Sequence, residues 1–188
     1  MPPPHRSSPL AVYVAASIGL LIIYACLHPF AGWRDPGLPV FEFLTLPWPR
    51  YYTWVDLTVN VIGIVPFSFA LTAALMGRLP RGRAVLGAIV GSFLLSLSVE
   101  TLQNFLPSRV PSNVDVGCNT LGGVLGALAG GRWGGRLFDP RSGLTRWRKR
   151  RIVAGHVGEL GLVVLGLWLL TLLTPESLLF ATGDLHRL

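Results

Sequence analysis

Charge is what this chain has least of. Only 13% of its 188 residues are charged, about half of the roughly 25% typical of a soluble domain. Acids are scarcest, nine in all, so each one inside an oily stretch needs a physical reason to be there. The two cysteines, Cys26 and Cys118, fall in separate apolar runs and form no CxxC pair. That excludes a thiolate metal site or dithiol redox centre and leaves them as small packing residues. Histidine occurs four times without an HExxH pattern, and no glycine-rich phosphate loop is present. Zinc hydrolases of that type and P-loop nucleotide enzymes are thereby excluded. No Ser-His-Asp or Cys-His set falls at one level of the chain.

What the chain has in abundance is apolar length. Hydrophobic residues make up 51% and gather into five runs, about 9–28, 55–76, 85–106, 116–138 and 155–174. Each approaches the roughly 20 residues that an α-helix needs to cross a bilayer. The first run lacks the small-residue cleavage pattern of a signal peptide and reads as a spanning anchor. The expected fold is therefore all-α, a single polytopic membrane helix bundle over 1–188 with about five transmembrane helices.

The net charge of +7 would suit nucleic acid if it were spread over one face, but it is not. Twelve of the sixteen Lys and Arg residues fall in alternate connecting segments, eight of them between Arg132 and Arg151, against four on the other side. The positive-inside rule then places the N-terminus in the cytoplasm of a cytoplasmic-membrane protein. The run "RWRKRR" (146–151) reads as a contact with anionic headgroups. Membrane lipids are the expected partners, and nucleic acid is not.

The longest connection, Pro29–Trp54, carries five prolines and many aromatic rings. It is either an anchor at headgroup level, where such rings settle, or a lid over a site. Glycines at 122, 126 and 130, with a shorter pair at 87 and 91, form small-residue ridges that let helices approach closely. They predict tight packing of the third and fourth helices.

Two stretches nearly rhyme. "TWVDLTVNVIG" (53–63) and "SNVDVGCNTLG" (112–122) both read hydroxyl-x-Val-Asp-x-x-x-Asn-x-x-Gly, offset by 59 residues. Both open apolar runs that start on the same side, so the repeat is parallel. Thr53 with Asp56, and Ser112 with Asp115, fit a capping box. Capping leaves Asn60 and Asn119 unexplained, one turn deeper on the same face. It also leaves the third run, where "SVETLQ" sets Glu100 and Gln103 on one face with Ser96 a turn below. Counting about 1.5 Å per residue, Asn60, Asn119 and Glu100 all lie roughly 5–9 Å inside their helix ends. Polar groups at that depth are costly unless they turn inward.

These residues predict an inward-facing polar pocket of Asp56, Asn60, Glu100, Gln103, Arg109, Asp115 and Asn119. Glu100, Asp56 and Asp115 are the candidate catalytic groups; Arg109, Asn60, Asn119 and Gln103 are the candidate ligand-binding groups. Arg109 is the expected cation for Glu100 or Asp115. No metal set is assigned, although Asp56 and Asp115 with amide oxygens suit Mg²⁺ or Ca²⁺, and no cofactor is identified. The plainer alternative is a sealed network that only locks helices together.

At these residues the chain resembles the VanZ-like family of bacterial membrane proteins. "DLTVNVIGIVPFSFAL" is similar to its acid-x3-Asn-x2-Gly-x2-Pro-Phe segment. "SVETLQNFLPSRVPSNVDVGCNTLGGVLGAL" is similar to its Glu-x2-Gln, Arg, Asp-x3-Asn-x2-Gly signature. The resemblance runs from about Asp56 to Leu128 and rests on Asp56, Asn60, Gly63, Pro66, Glu100, Gln103, Arg109, Asp115, Asn119 and Gly122. It implies a cell-envelope role, with the founding member linked to glycopeptide resistance of the teicoplanin type. The expected function is action at the outer membrane face on an envelope or lipid-linked molecule. A small transporter and a membrane scaffold are the alternatives.

Overall fold

The computed structural model describes residues 9–48 and 53–138, with five isolated positions beyond (157, 158, 160, 161 and 164). Apart from those five positions, the expected fifth helix (155–174) lies outside the described residues, as does the basic run 146–151. Among the described residues the fold is all-helical: α1 (Pro9–Leu27), α2 (Trp54–Leu75), α3 (Arg81–Gln103) and α4 (Asn113–Phe138). A single-turn helix, Glu42–Leu44, interrupts the α1–α2 loop. In hydrocarbon a helix satisfies its own backbone polar groups, which is why oily runs of this length take that form. Three of the four, α1, α2 and α3, are long and apolar enough to cross a membrane. The sequence predicts a span at α4 as well, but eight glycines and its flanking charges dilute its apolar character.

Prolines set the shift between expected and observed bounds in α3. The helix starts directly after Pro80, whose φ of −61° and ψ of 150° lie outside the helical region. It stops before Pro107, because the residue preceding a proline is driven out of the helical region. The chain turns at Leu106, which is 1% exposed.

Helix directions follow from side-chain register. Along α4, Gly122, Gly126, Gly130 and Gly134 face Val61, Val65, Phe69 and Ala73 of α2 in rising order, so α2 and α4 run parallel. A Cβ at Gly122 or Gly126 would overlap the carbonyl oxygen of Val61 or Val65; one at Gly130 would sit 2.7 Å from the Phe69 oxygen. Main chain therefore rests on main chain, an arrangement that suits Cα–H···O contacts. On α3, Gly87 and Gly91 meet Leu75 and Leu71 of α2, in falling order and hence antiparallel. Both expected ridges thus close on α2. The α3–α4 contact is made instead by Gly123 against Ser92 and Gly131 against Val85. On α1, Ala11, Ala15 and Gly19 are buried at every fourth position, with Gly19 under the Phe67 ring of α2.

Charge is sorted by end. Every described acid (Asp35, Glu42, Asp56, Glu100 and Asp115) lies at the end where α1 and α3 finish and α2 and α4 begin. Arg78, Arg81, Arg83, Arg132 and Arg136 lie at the opposite end. Hereafter these are the acidic end and the arginine end.

Candidate functional site

The acidic end is built by helix termini that satisfy one another. The last four carbonyls of a helix have no partner within it. In α1 each finds one: Tyr24 O accepts from the His28 amide and Leu27 O from the Phe30 amide, both at 2.9 Å. Cys26 O accepts from Gln103 Nε2 at 3.1 Å. Ala25 O accepts from Arg109 Nη2 at 3.1 Å, and the same nitrogen donates to His28 O at 2.8 Å. A cation at a helix C-terminus also complements the macrodipole. Two of the expected ligand-binding residues, Gln103 and Arg109, therefore close α1. The expected pairing of Arg109 with Glu100 or Asp115 is not formed, because the carbonyls of α1 hold its guanidinium.

The rhymed motifs have come apart in use. In the first, Thr53 and Asp56 make the expected capping box. Thr53 Oγ1 accepts from the Asp56 amide at 3.1 Å, and Asp56 Oδ2 accepts from the Thr53 amide at 2.9 Å and from its hydroxyl at 2.7 Å. Asp56 stays exposed. In the second, Ser112 Oγ accepts from the Val114 amide at 3.2 Å instead. The Ser112 amide, which the box would give to Asp115, donates to Glu100 Oε2 at 2.9 Å. Glu100, 4% exposed, so takes over the carboxylate's half of the cap at the start of α4. The expected box at Ser112–Asp115 is corrected on this point.

Freed from capping, Asp115 turns across the helix pair. Its Oδ1 accepts from Asn60 Nδ2 at 2.6 Å, joining α2 to α4. One turn deeper, Asn119 Nδ2 donates to Ser96 Oγ at 3.0 Å, joining α4 to α3. Asp115 lies within electrostatic range of both Glu100 and Asp56. The structure thus brings together Asn60, Asp115, Glu100, Asn119 and Ser96 between α2, α3 and α4. It places Asp56 at the rim and Gln103 and Arg109 against α1. Only one oxygen each of Glu100 and Asp115 is engaged by a described residue. Cys26 and Cys118 are free thiols.

Sequence reading missed the depth of this seam. Below Asn119, Ser68 Oγ donates to Gly123 O at 2.6 Å, Ser92 Oγ to Ala88 O at 2.8 Å and Thr72 Oγ1 to Ser68 O at 2.8 Å, all in the buried interior. Their signal is present, since Ser92, Ser96 and Glu100 recur every four residues. The loop is expected as an anchor at headgroup level, with a lid as the alternative. It is pinned over the acidic end: Asn104 Nδ2 donates to Val40 O at 2.6 Å, Asn113 Nδ2 to Leu46 O at 2.7 Å, and the Arg34 amide to Phe105 O at 2.9 Å. Phe43 is buried beneath it. Three enclosed oxygens at this end, Glu42 Oε2, Thr101 Oγ1 and Asn113 Oδ1, find no protein donor among the described residues.

Membrane-length helices around an acid-bearing interior seam define a helical membrane protein with a polar cluster near one end. The chain matches the profile of the VanZ/LLP1 family over residues 10–131, about two thirds of its length, and belongs to that family. The match takes in α1 and the loop as well as the rhymed segments. No curated protein matches the chain, and no solved structure does.

Proposed function

We propose that this protein acts at the outer face of the cytoplasmic membrane on a cell-envelope or lipid-linked molecule, with Glu100 as its central acid or base. The acidic end faces outward in this reading because five of the seven described arginines gather at the other end, which the positive-inside rule holds in the cytoplasm. The observation that carries the proposal is Glu100 itself. A buried carboxylate in a membrane-length helix is costly without a function or a partner, and here one backbone amide engages only one of its oxygens. Asp115, held in place by Asn60, adds a second acid within range. Arg109 is committed to α1, so the group recognised at the acids is best supplied as a hydrogen-bond donor or cation.

The test is Glu100→Gln at matched protein level, with sensitivity to envelope-targeting drugs as readout, beginning with lipid-bearing glycopeptides. A changed sensitivity is expected; wild-type sensitivity at equal abundance would remove Glu100 from the function.

The pairs that join helices favour a second reading, a scaffold whose network only fixes helix positions. Asn60–Asp115 and Asn119–Ser96 each join two helices. In that case Asn119→Ala lowers abundance and phenotype in proportion, with no loss of activity per molecule.

A further inference from the structure

A groove of about 510 Å³ runs down the flank of the bundle where α1, α2 and α3 meet. Ala16 and Ile23 of α1, Phe67, Leu71 and Ala74 of α2, and Leu95 of α3 line it, with no charged or polar side chain in its walls. Its shape follows from the contact beside it. Gly19 lets the Phe67 ring press against the α1 backbone, with 3.1 Å to an added Cβ, so α1 and α2 touch there and leave a trough alongside. All three walls are helices of membrane-spanning length, so the trough opens onto hydrocarbon rather than water. A volume of this size lies in the range of specific ligand sites, roughly 300–1,000 Å³. From Val12 to Ile23 along α1 it extends about 16 Å.

The upper end of the groove also comes near the level of the polar site, by the register of Gly19 against Phe67 and Gly91 against Leu71. Its upper wall ends at Ile23, one turn short of Cys26, whose carbonyl Gln103 holds. On α3, Leu95 is followed directly by Ser96, which opens the polar seam toward Glu100. We propose that the groove binds one hydrocarbon chain of an outer-leaflet lipid, with the lipid's polar end at the acidic end of the bundle and its methyl end toward Val12 and Ala74. The proposal rests on reading that end as the site of action and adds that the molecule handled there carries a long apolar tail. The uncharged walls hold the chain and so fix the lipid in place, and the acids above act on its head without being needed to retain it.

The test uses the full-length protein in nanodiscs containing phosphatidylethanolamine with a photoactivatable diazirine, placed either near the acyl carbonyl or at the methyl end. Cross-linked peptides are mapped by mass spectrometry. The carbonyl-proximal probe is expected to label around Ile23, and the methyl-end probe around Val12, Leu71 and Ala74. Filling the trough by Ala16→Trp lowers that labelling by about tenfold, equivalent to about 1.4 kcal/mol of lost contact. Labelling at the exposed Leu125 and Leu128 of α4 stays constant. Ala74→Trp is the second variant should Ala16→Trp fail to insert. The reversed pattern, with methyl-end label at Ile23, assigns the groove to an inner-leaflet lipid and overturns the proposal. So does even labelling over the whole surface, or a disulfide from Ala16→Cys to a cysteine placed within 155–174. Glu100→Gln leaves groove labelling intact, so a silent Glu100→Gln phenotype with retained labelling defeats the proposed function and spares the groove.

Discussion

Asn60 and Asp115 meet across α2 and α4 at 2.6 Å, the amide donating to the carboxylate. Each is a member of a different copy of the rhymed motif, so the repeat is stitched to itself through unlike positions. A partly buried acid that loses its one donor among the described residues bears more of its desolvation cost. Asn60→Ala is expected to destabilise the protein by about 1–3 kcal/mol. A double-mutant cycle with Asp115→Ala should recover a coupling of roughly 0.5–3 kcal/mol, read from unfolding in mixed micelles. Strict additivity would show that the contact contributes no stability.

The main-chain contact of α2 with α4 predicts a sharp contrast among glycines. Gly126→Ala sets a methyl group against the Val65 carbonyl, and its cost falls in the range of core overpacking, about 1–3 kcal/mol. Gly63→Ala meets nothing within 4 Å, although Gly63 belongs to the signature that marks the family. It should be neutral or stabilise by about 0.4–1 kcal/mol through the unfolded chain. Thermal midpoints of the two variants decide the point, and equal losses would refute the register described here.

Arg109 is expected to act through α1. Arg109→Ala removes the donor shared by Ala25 O and His28 O. Amide hydrogen exchange should quicken over residues 24–30 and stay unchanged in the interior of α4. Faster exchange in α4 alone would mean that Arg109 serves the acids after all.

The two caps should respond to different substitutions. Thr53→Ala dissolves the box at the start of α2 at a cost of about 1 kcal/mol. Asp115→Asn leaves the cap of α4 in place, since Glu100 rather than Asp115 receives the Ser112 amide. Protection of the first turn of α4 measures this directly, and its loss in Asp115→Asn would restore the simple repeat.

Orientation is open to chemical labelling. Val110 is 84% exposed in the α3–α4 loop. Val110→Cys, in a background with Cys26 and Cys118 replaced by serine, should react with a membrane-impermeant maleimide from outside intact cells. Reaction only after lysis would turn the bundle over.

Much of this architecture was legible in the residues. Apolar length gave four helices within a few positions, because spanning a bilayer constrains length more tightly than propensity does. The depth of Asn60, Asn119 and Glu100 along their helices drew them into one cluster. Partner choice was less legible. Asp115 was the expected acid of the α4 cap, and only the path of the 104–112 turn gives Glu100 the Ser112 amide instead. Arg109 looked like the counter-ion of the acids because sequence shows charges but hides unsatisfied carbonyls, and α1 offered it two. The glycine ridges announced close packing without naming the neighbour, since a bare backbone fits any smooth surface. The groove left no trace in sequence, because residues that border a trough and residues that fill a contact are the same apolar types.

The closure of α1 has one more consequence. Its far end is held by Gln103 and Arg109, while much of its length borders an open trough and touches α2 through small residues. α2 and α4, by contrast, are joined backbone to backbone and have almost no freedom to slide. Among the described helices, α1 is therefore the one least bound to its neighbours and is fastened chiefly at its tip.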